Sequence, residues 1–223
     1  MKKSSLVLAA VGALAFTTHA QAVTIFSDNF DDENGGNGAL NYNSFVKWDV
    51  APGTVDLIGN GYYDYLAITG QGNHGLYVDM DGSTGAAGTM TTKSSLLTLA
   101  PGNYILSYGL AGNSTYVSYP GSYPGPDTVN VSVQVGLAGT SYTLVATDPY
   151  AIHTLAFTLT STTSASIMFQ GIGGDNVGLL LDDVKLDKVP DGGNTAVLLG
   201  LATLGLGMVG MARAQWLRRC QGC

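Results

Sequence analysis

Between Met1 and Arg219 the chain contains no cysteine. A domain without disulfides has to be held by its apolar core, with bound metal as the remaining cross-link open to it. Basic residues are almost as scarce: from Val23 to Asp187 there are Lys47, Lys93 and Lys185 against fifteen aspartates and glutamates, a net of −12. So acidic a segment repels nucleic acid and anionic lipid and attracts divalent cations. Histidine is confined to His19, His74 and His153. Neither of the last two stands in a pattern that pairs it with a nucleophile or gives metal-ligand spacing, so catalysis finds little support. Nor does any stretch of this segment keep a helical period.

What the segment has is glycine, serine, threonine and short apolar alternations between turn signals. Val129, Val131, Val133 and Val135 alternate with Asn130, Ser132 and Gln134, the period-two pattern of a half-buried strand. Tyr104, Leu106, Tyr108 and Leu110 follow the turn Pro101-Gly102-Asn103, and Leu155, Phe157, Leu159, Ile167 and Phe169 continue the series. Shorter strands are expected over residues 23–30, 54–58, 76–80, 88–92, 96–99, 142–146 and 179–186. Ten to twelve short strands at this spacing predict an all-β, antiparallel β-sandwich, in the form of a jelly roll.

The two ends differ from the middle. Lys2 and Lys3, an apolar run from Leu6 to Phe16 and the triplet Ala20-Gln21-Ala22 make a secretory signal peptide over residues 1–22, with cleavage after Ala22. Residues 195–212 carry no charge, close to the roughly 20 apolar residues that cross a bilayer as one helix. Arg213, Arg218 and Arg219 follow within residues 213–223, which places that tail on the cytoplasmic side and residues 23–188 outside. The GxGxxG match at Gly205-Leu206-Gly207-Met208-Val209-Gly210 lies inside the span and not in a βαβ unit, so it is no dinucleotide loop. Cys220 and Cys223 form a lone CxxC on the tail and read as incidental thiols.

Val189-Pro190-Asp191-Gly192-Gly193, an apolar span and an arginine cluster together resemble the bacterial PEP-CTERM class of sorting signals, in a variant with VPD. The resemblance implies a membrane-embedded exosortase-like sorting enzyme as partner, with transfer to the cell surface or extracellular matrix of a Gram-negative-type bacterium. Pro190 and the two glycines fit it physically, because they keep residues 189–194 extended and open to a processing enzyme. The other reading of the same residues is a plain single-pass anchor.

Gly75-Leu76-Tyr77-Val78-Asp79-Met80-Asp81-Gly82 and the segment from Gly174 to Leu186 resemble the galactose-binding-like jelly rolls of carbohydrate-binding modules. That resemblance implies neighbouring first and last strands that share a structural Ca²⁺, with Asp28 beside Asp182 or Asp183. Asp79 and Asp81 complete the candidate ligands, since Ca²⁺ gathers six to eight oxygens from separate loops. Leu179, Leu181 and Asp183 share one strand face unless a bulge intervenes, and an aspartate on an apolar face needs a partner.

Tyrosines are the second candidate, because sugars stack their apolar faces on flat rings. Tyr62, Tyr63 and Tyr65 form one cluster, and Tyr116, Tyr119 and Tyr123 another around a duplicated SYPG unit. The expected function is that of an exported, surface-anchored or matrix-released non-catalytic protein that binds extracellular polysaccharide. The alternatives are a small extracellular polysaccharide-acting enzyme and a purely structural surface protein.

Overall fold

The computed structural model describes residues 21–113, 126–133 and 137–190. Thirteen strands appear among them: β1 (Val23–Asp28), β2 (Trp48–Val50), β3 (Asp56–Gly59), β4 (Leu76–Asp79), β5 (Thr89–Thr92), β6 (Thr98–Leu99) and β7 (Gly102–Ala111). After these come β8 (Asp127–Val133), β9 (Ala138–Leu144), β10 (Ala151–Leu159), β11 (Thr163–Ser164), β12 (Ile167–Ile172) and β13 (Leu180–Val189). A one-turn helix, α1 (Tyr65–Ile68), follows β3. Among the described residues no helix is long and apolar enough to cross a membrane. The signal segment to Ala20, Tyr116, Tyr119, Tyr123 and everything from Asp191 onward, the expected span and Arg213, Arg218 and Arg219 included, lie outside the described residues.

The alternation of apolar side chains becomes two antiparallel sheets. In β8 Val129, Val131 and Val133 are buried, while Thr128, Asn130 and Ser132 between them are half-buried. One sheet has the order β10-β7-β13-β4-β3, with β1 also on β13, and the other has the order β2-β5-β12-β8-β9. The short pair β6 and β11 stands beside them. This is an antiparallel β-sandwich, and its first and last described strands are paired, Asp28 standing opposite Val184.

One continuous core fills the space between the sheets. Trp48, Phe26, Phe30, Phe45, Tyr108 and Phe169 bury their rings there among Val129, Val131, Leu106, Leu181 and Leu186. Each such side chain contributes about 1.5–3 kcal/mol on removal from water, so a domain without disulfides can stand on this cluster. A smaller cluster of Ile58, Tyr65, Leu66, Tyr77, Ala111 and Leu180 packs elsewhere, bringing α1 together with β3, β4, β7 and β13.

β13 carries the irregularity on which the site depends. Its pairing with β7 slips between Asp182 and Lys185, and Asp183 takes φ 50°. Leu181, Val184 and Leu186 all reach the main core, which a regular alternation would not allow. The bulge therefore turns Asp183 outward and Asp182 inward, to 2 % exposure. Asp182, and not Asp183, is the buried aspartate of this strand.

Candidate functional site

Two strands share one edge of β13 end to end. β4 pairs with Leu180 and Leu181, and β1 with Val184 to Lys188. Asp182 and Asp183 fall in the gap between them, at the bulge. That gap is the floor of an open concavity of about 530 Å³, lined by Asn29, Asp31, Asn60, Asn73, His74 and the two aspartates, with Gly75 and Leu76.

Backbone geometry sets the walls. Asp31 Oδ1 accepts the N–H of Leu76 at 2.9 Å, and its Oδ2 accepts from Asn29 Nδ2 at 2.6 Å. The backbone of Gly75 passes so close that a Cβ there would stand 1.7 Å from Asp31 Oδ1, and its φ is 67°. Only glycine meets both conditions. On the other side Tyr150 donates its hydroxyl to Asp183 Oδ2 at 2.6 Å and lies over His74, ring centroids 4.2 Å apart.

Among the described residues, His74, Asp182 and Asp183 form the one group of three possible metal ligands whose donor atoms lie within 4.8 Å of one another. His74 Nδ1 faces Asp182 Oδ2 at 3.7 Å, and Asp182 Oδ1 accepts the N–H of Asp183 at 2.7 Å. Burial, then the charge of Asp183, push the Asp182 carboxyl up to about 8. A divalent ion bound by these three groups would reverse that penalty.

The five aspartates read as calcium ligands are divided among separate places. Asp28 is engaged inside the fold: its Oδ2 accepts from Trp48 Nε1 at 2.7 Å, its Oδ1 from the N–H of Phe30 at 3.3 Å, and Lys47 Nζ stands 3.6 Å away. It also lines a second concavity, of about 520 Å³, together with Asp183 and Lys47. Asp79 is buried and takes hydrogen bonds from the N–H groups of Asp81 and Gly178 and from Asn113 Nδ2. Burial raises its carboxyl well above the usual range against the pull of those two N–H groups. Asp81 lies beyond β4, near the backbone of Gly173 and Asp175.

Of the first tyrosine cluster, Tyr62 and Tyr63 are 37 % and 46 % exposed and stand edge to face, centroids 4.8 Å apart at 85°. Tyr65 keeps contact with Tyr63, ring centroids 6.3 Å apart, but is not exposed like the other two. It is buried, because α1 turns it onto Ile58, Tyr77 and Leu180 instead of leaving it in a loop. The Tyr62 ring rests on Gly38, where a Cβ would meet Cδ1 at 2.3 Å. The same turn supplies Asn60 to the large concavity, and Tyr63 to a smaller one of about 130 Å³ with Asp56, Ser83 and Asn176.

Sequence reasoning missed Asn29, Asp31, Asn60, Asn73 and Tyr150, and set His74 aside. The paired carboxylates of β13 were visible; their orientation was not, since it depends on the bulge.

No protein-family model matches the chain, and no curated relative does. Solved structures of similar shape include a CBM22-1 xylan-binding domain from Paenibacillus barcinonensis, at 14 % identity and TM-score 0.44, covering 75 % of this chain and 96 % of that one. The K1 cleaved adhesin domain of Lys-gingipain from Porphyromonas gingivalis W83 aligns at 13 % identity and TM-score 0.45, over 75 % and 99 %. The CBM22-1 and GH10 modules of Clostridium thermocellum xylanase 10B, solved with xylohexaose, align at 14 % identity and TM-score 0.42. That match covers 75 % of this chain, which spans only 29 % of the xylanase chain.

Proposed function

We propose that this chain is an exported, non-catalytic surface or matrix protein whose sandwich domain binds polysaccharide along the face bearing Tyr62, Tyr63 and the adjoining polar concavity. The observation that carries the reading is the exposed edge-to-face pair Tyr62 and Tyr63 on a turn whose neighbour Asn60 lines that concavity. Flat rings receive the C–H faces of sugar units, and amides and carboxylates receive their hydroxyls. The concavity offers this mixture: three asparagines, three aspartates and a histidine. A divalent ion at His74, Asp182 and Asp183 would stiffen its floor.

Export and sorting complete the proposal. The apolar segment before Ala22 directs secretion. The VPD segment, the apolar span and the arginines direct an exosortase-like enzyme to the tail. β13 ends at Val189 and Pro190 follows it, so the motif starts where the sheet stops. The jelly-roll connectivity of carbohydrate-binding modules belongs to the same proposal, and the pairing of β1 with β13 supports it.

The test is a binding screen of the full-length chain in detergent micelles against xylan, β-glucan and mannan, in Ca²⁺ and again in EDTA. Saturable binding to one polysaccharide is expected, weakened in Asn60→Ala. A well-folded chain that binds none of them would overturn the reading.

A further inference from the structure

The lining of the large concavity is dominated by hydrogen-bond acceptors. Asn29 and Asn60 give amide N–H groups to Asp31 Oδ2 and Gly36 O, at 2.6 and 3.1 Å, and keep their Oδ1 atoms for a ligand. His74 Nε2 stands 3.4 Å from the carbonyl of Gln71, a partner it can meet only as a donor, so the neutral ring keeps Nδ1 as an acceptor. Asn73 does the reverse, its Oδ1 taking the N–H of Gly75 at 3.0 Å and its Nδ2 being left to donate. Three aspartates complete the lining, and no lysine or arginine belongs to it.

Two of these acceptors face each other at the floor. Asp182 is 2 % exposed, and its Oδ1 takes the N–H of Asp183 at 2.7 Å. Its Oδ2 accepts no hydrogen bond among the described residues and faces His74 Nδ1 at 3.7 Å, beyond hydrogen-bond reach. The donor atoms of Asp183 lie within 4.8 Å of both. Burial and the charge of Asp183 raise the Asp182 carboxyl to about 8, as happens to a carboxylate short of counter-charge. A buried carboxylate oxygen without a donor, aimed into an open concavity, points to a ligand that brings both protons and positive charge.

We propose that the concavity recognises a glycan containing 2-amino-2-deoxy sugar units, whose ammonium group lies among His74, Asp182 and Asp183. The inference rests on the polysaccharide reading and narrows it to a class of sugar. A hydroxyl brings one donor together with acceptor lone pairs. An ammonium brings three donors, no acceptor, and the charge that these aspartates lack. Uronate polymers are disfavoured by the same residues, because their carboxylates would meet Asp31, Asp182 and Asp183 without a cation. The net charge of −12 between Val23 and Asp187 adds a long-range pull on a cationic chain.

The experiment compares three hexaoses with one β-1,4 backbone that differ at C2: cellohexaose with a hydroxyl, the chitin hexaose with an acetamide, and the glucosamine hexaose with an amine. Each is titrated calorimetrically into the full-length chain in uncharged detergent micelles, with EDTA present because a divalent ion competes for the same groups. Wild type, Asp183→Asn and Asp49→Asn are compared, with Tm recorded for each. Asparagine at 183 still accepts the Tyr150 hydroxyl and tolerates the φ of 50°. Asp49 is an exposed aspartate of β2 in the other sheet, so its variant lowers the charge equally and leaves the concavity intact. The glucosamine hexaose is expected to bind wild type and Asp49→Asn at least about tenfold more tightly than the other two, and Asp183→Asn with most of that preference lost. Equal affinity of wild type for the three hexaoses would overturn this inference and leave the polysaccharide reading standing. A preference that both variants lose alike, or keep alike, overturns it too, as does failure of the glucosamine hexaose to bind while xylan, β-glucan or mannan does. Failure of every glycan to bind the folded chain overturns both.

Discussion

At the scale of single residues, three side chains carry consequences their neighbours do not. Tyr62 keeps its exposed position because Gly38 lies beneath it. A methyl group added there has to displace the ring or the chain at Leu57 O, which it would approach to 3.0 Å. Gly38→Ala should cost about 1–3 kcal/mol of stability by overpacking and weaken polysaccharide binding, measured by urea melts and calorimetry. Trp48 satisfies the buried Asp28. Trp48→Phe keeps the ring packing but removes the donor, and a loss of about 1–3 kcal/mol is expected in the same melts.

His153 gives the pH dependence. It stacks on Tyr108 at 6.2 Å and lies 4.4 Å from the Tyr142 ring, and burial lowers its pKa from the ordinary 6.5. The unfolded chain then binds a proton more readily than the folded one just below pH 6.5. This residue's contribution is complete above 6.5 and is lost as pH falls through 6.5 toward the folded value. His153→Gln should show a smaller drop in Tm between pH 7 and pH 5 than wild type. An NMR titration placing the imidazole at or above 6.5 would contradict the assignment.

At the scale of elements, strand existence was legible and strand irregularity was not. β8, β7 and β10 announce themselves because each alternates apolar and polar residues over several positions between turn signals. β2 escaped notice: Trp48-Asp49-Val50 is three residues long, too short for a period to show, and it is held by pairing with β5. The same limit applies to α1, one turn fixed by Asp64, whose carboxylate caps it and accepts the Tyr77 hydroxyl at 3.2 Å. A tertiary contact decides that helix, so Tyr65 read as a loop tyrosine. The bulge of β13 is the third case. Leu179, Leu181 and Asp183 obey period two on paper, and the chain breaks it so that Val184 and Leu186 can also reach the core. The packing of that core predicts that Phe169→Ala, which removes a ring lying against both Trp48 and Tyr108, costs about 3–5 kcal/mol in a denaturant melt.

At the scale of the whole molecule, the fold leaves its acids at strand ends and its tyrosine pair on one turn, beside a concavity made by two strands meeting on one edge of β13. Composition foretold the acids and could not show which of them would converge, because Asp31, His74 and Asp182 are separated by long stretches of sequence. The tail belongs to this scale as well. Replacing Pro190 and Asp191 with alanine should hold the protein in the membrane fraction of a sorting-competent host, read by fractionation and immunoblot; unchanged release would remove the sorting role. The function proposed above is polysaccharide capture by a displayed sandwich. The measurement that addresses it most directly is calorimetric titration of the polysaccharide that wild type binds into the full-length double variant Tyr62→Ala/Tyr63→Ala. Affinity is expected to fall at least about tenfold, two stacked rings together being worth more than about 1.4 kcal/mol, with Tm nearly unchanged. Affinity equal to wild type in a folded double variant would contradict the account.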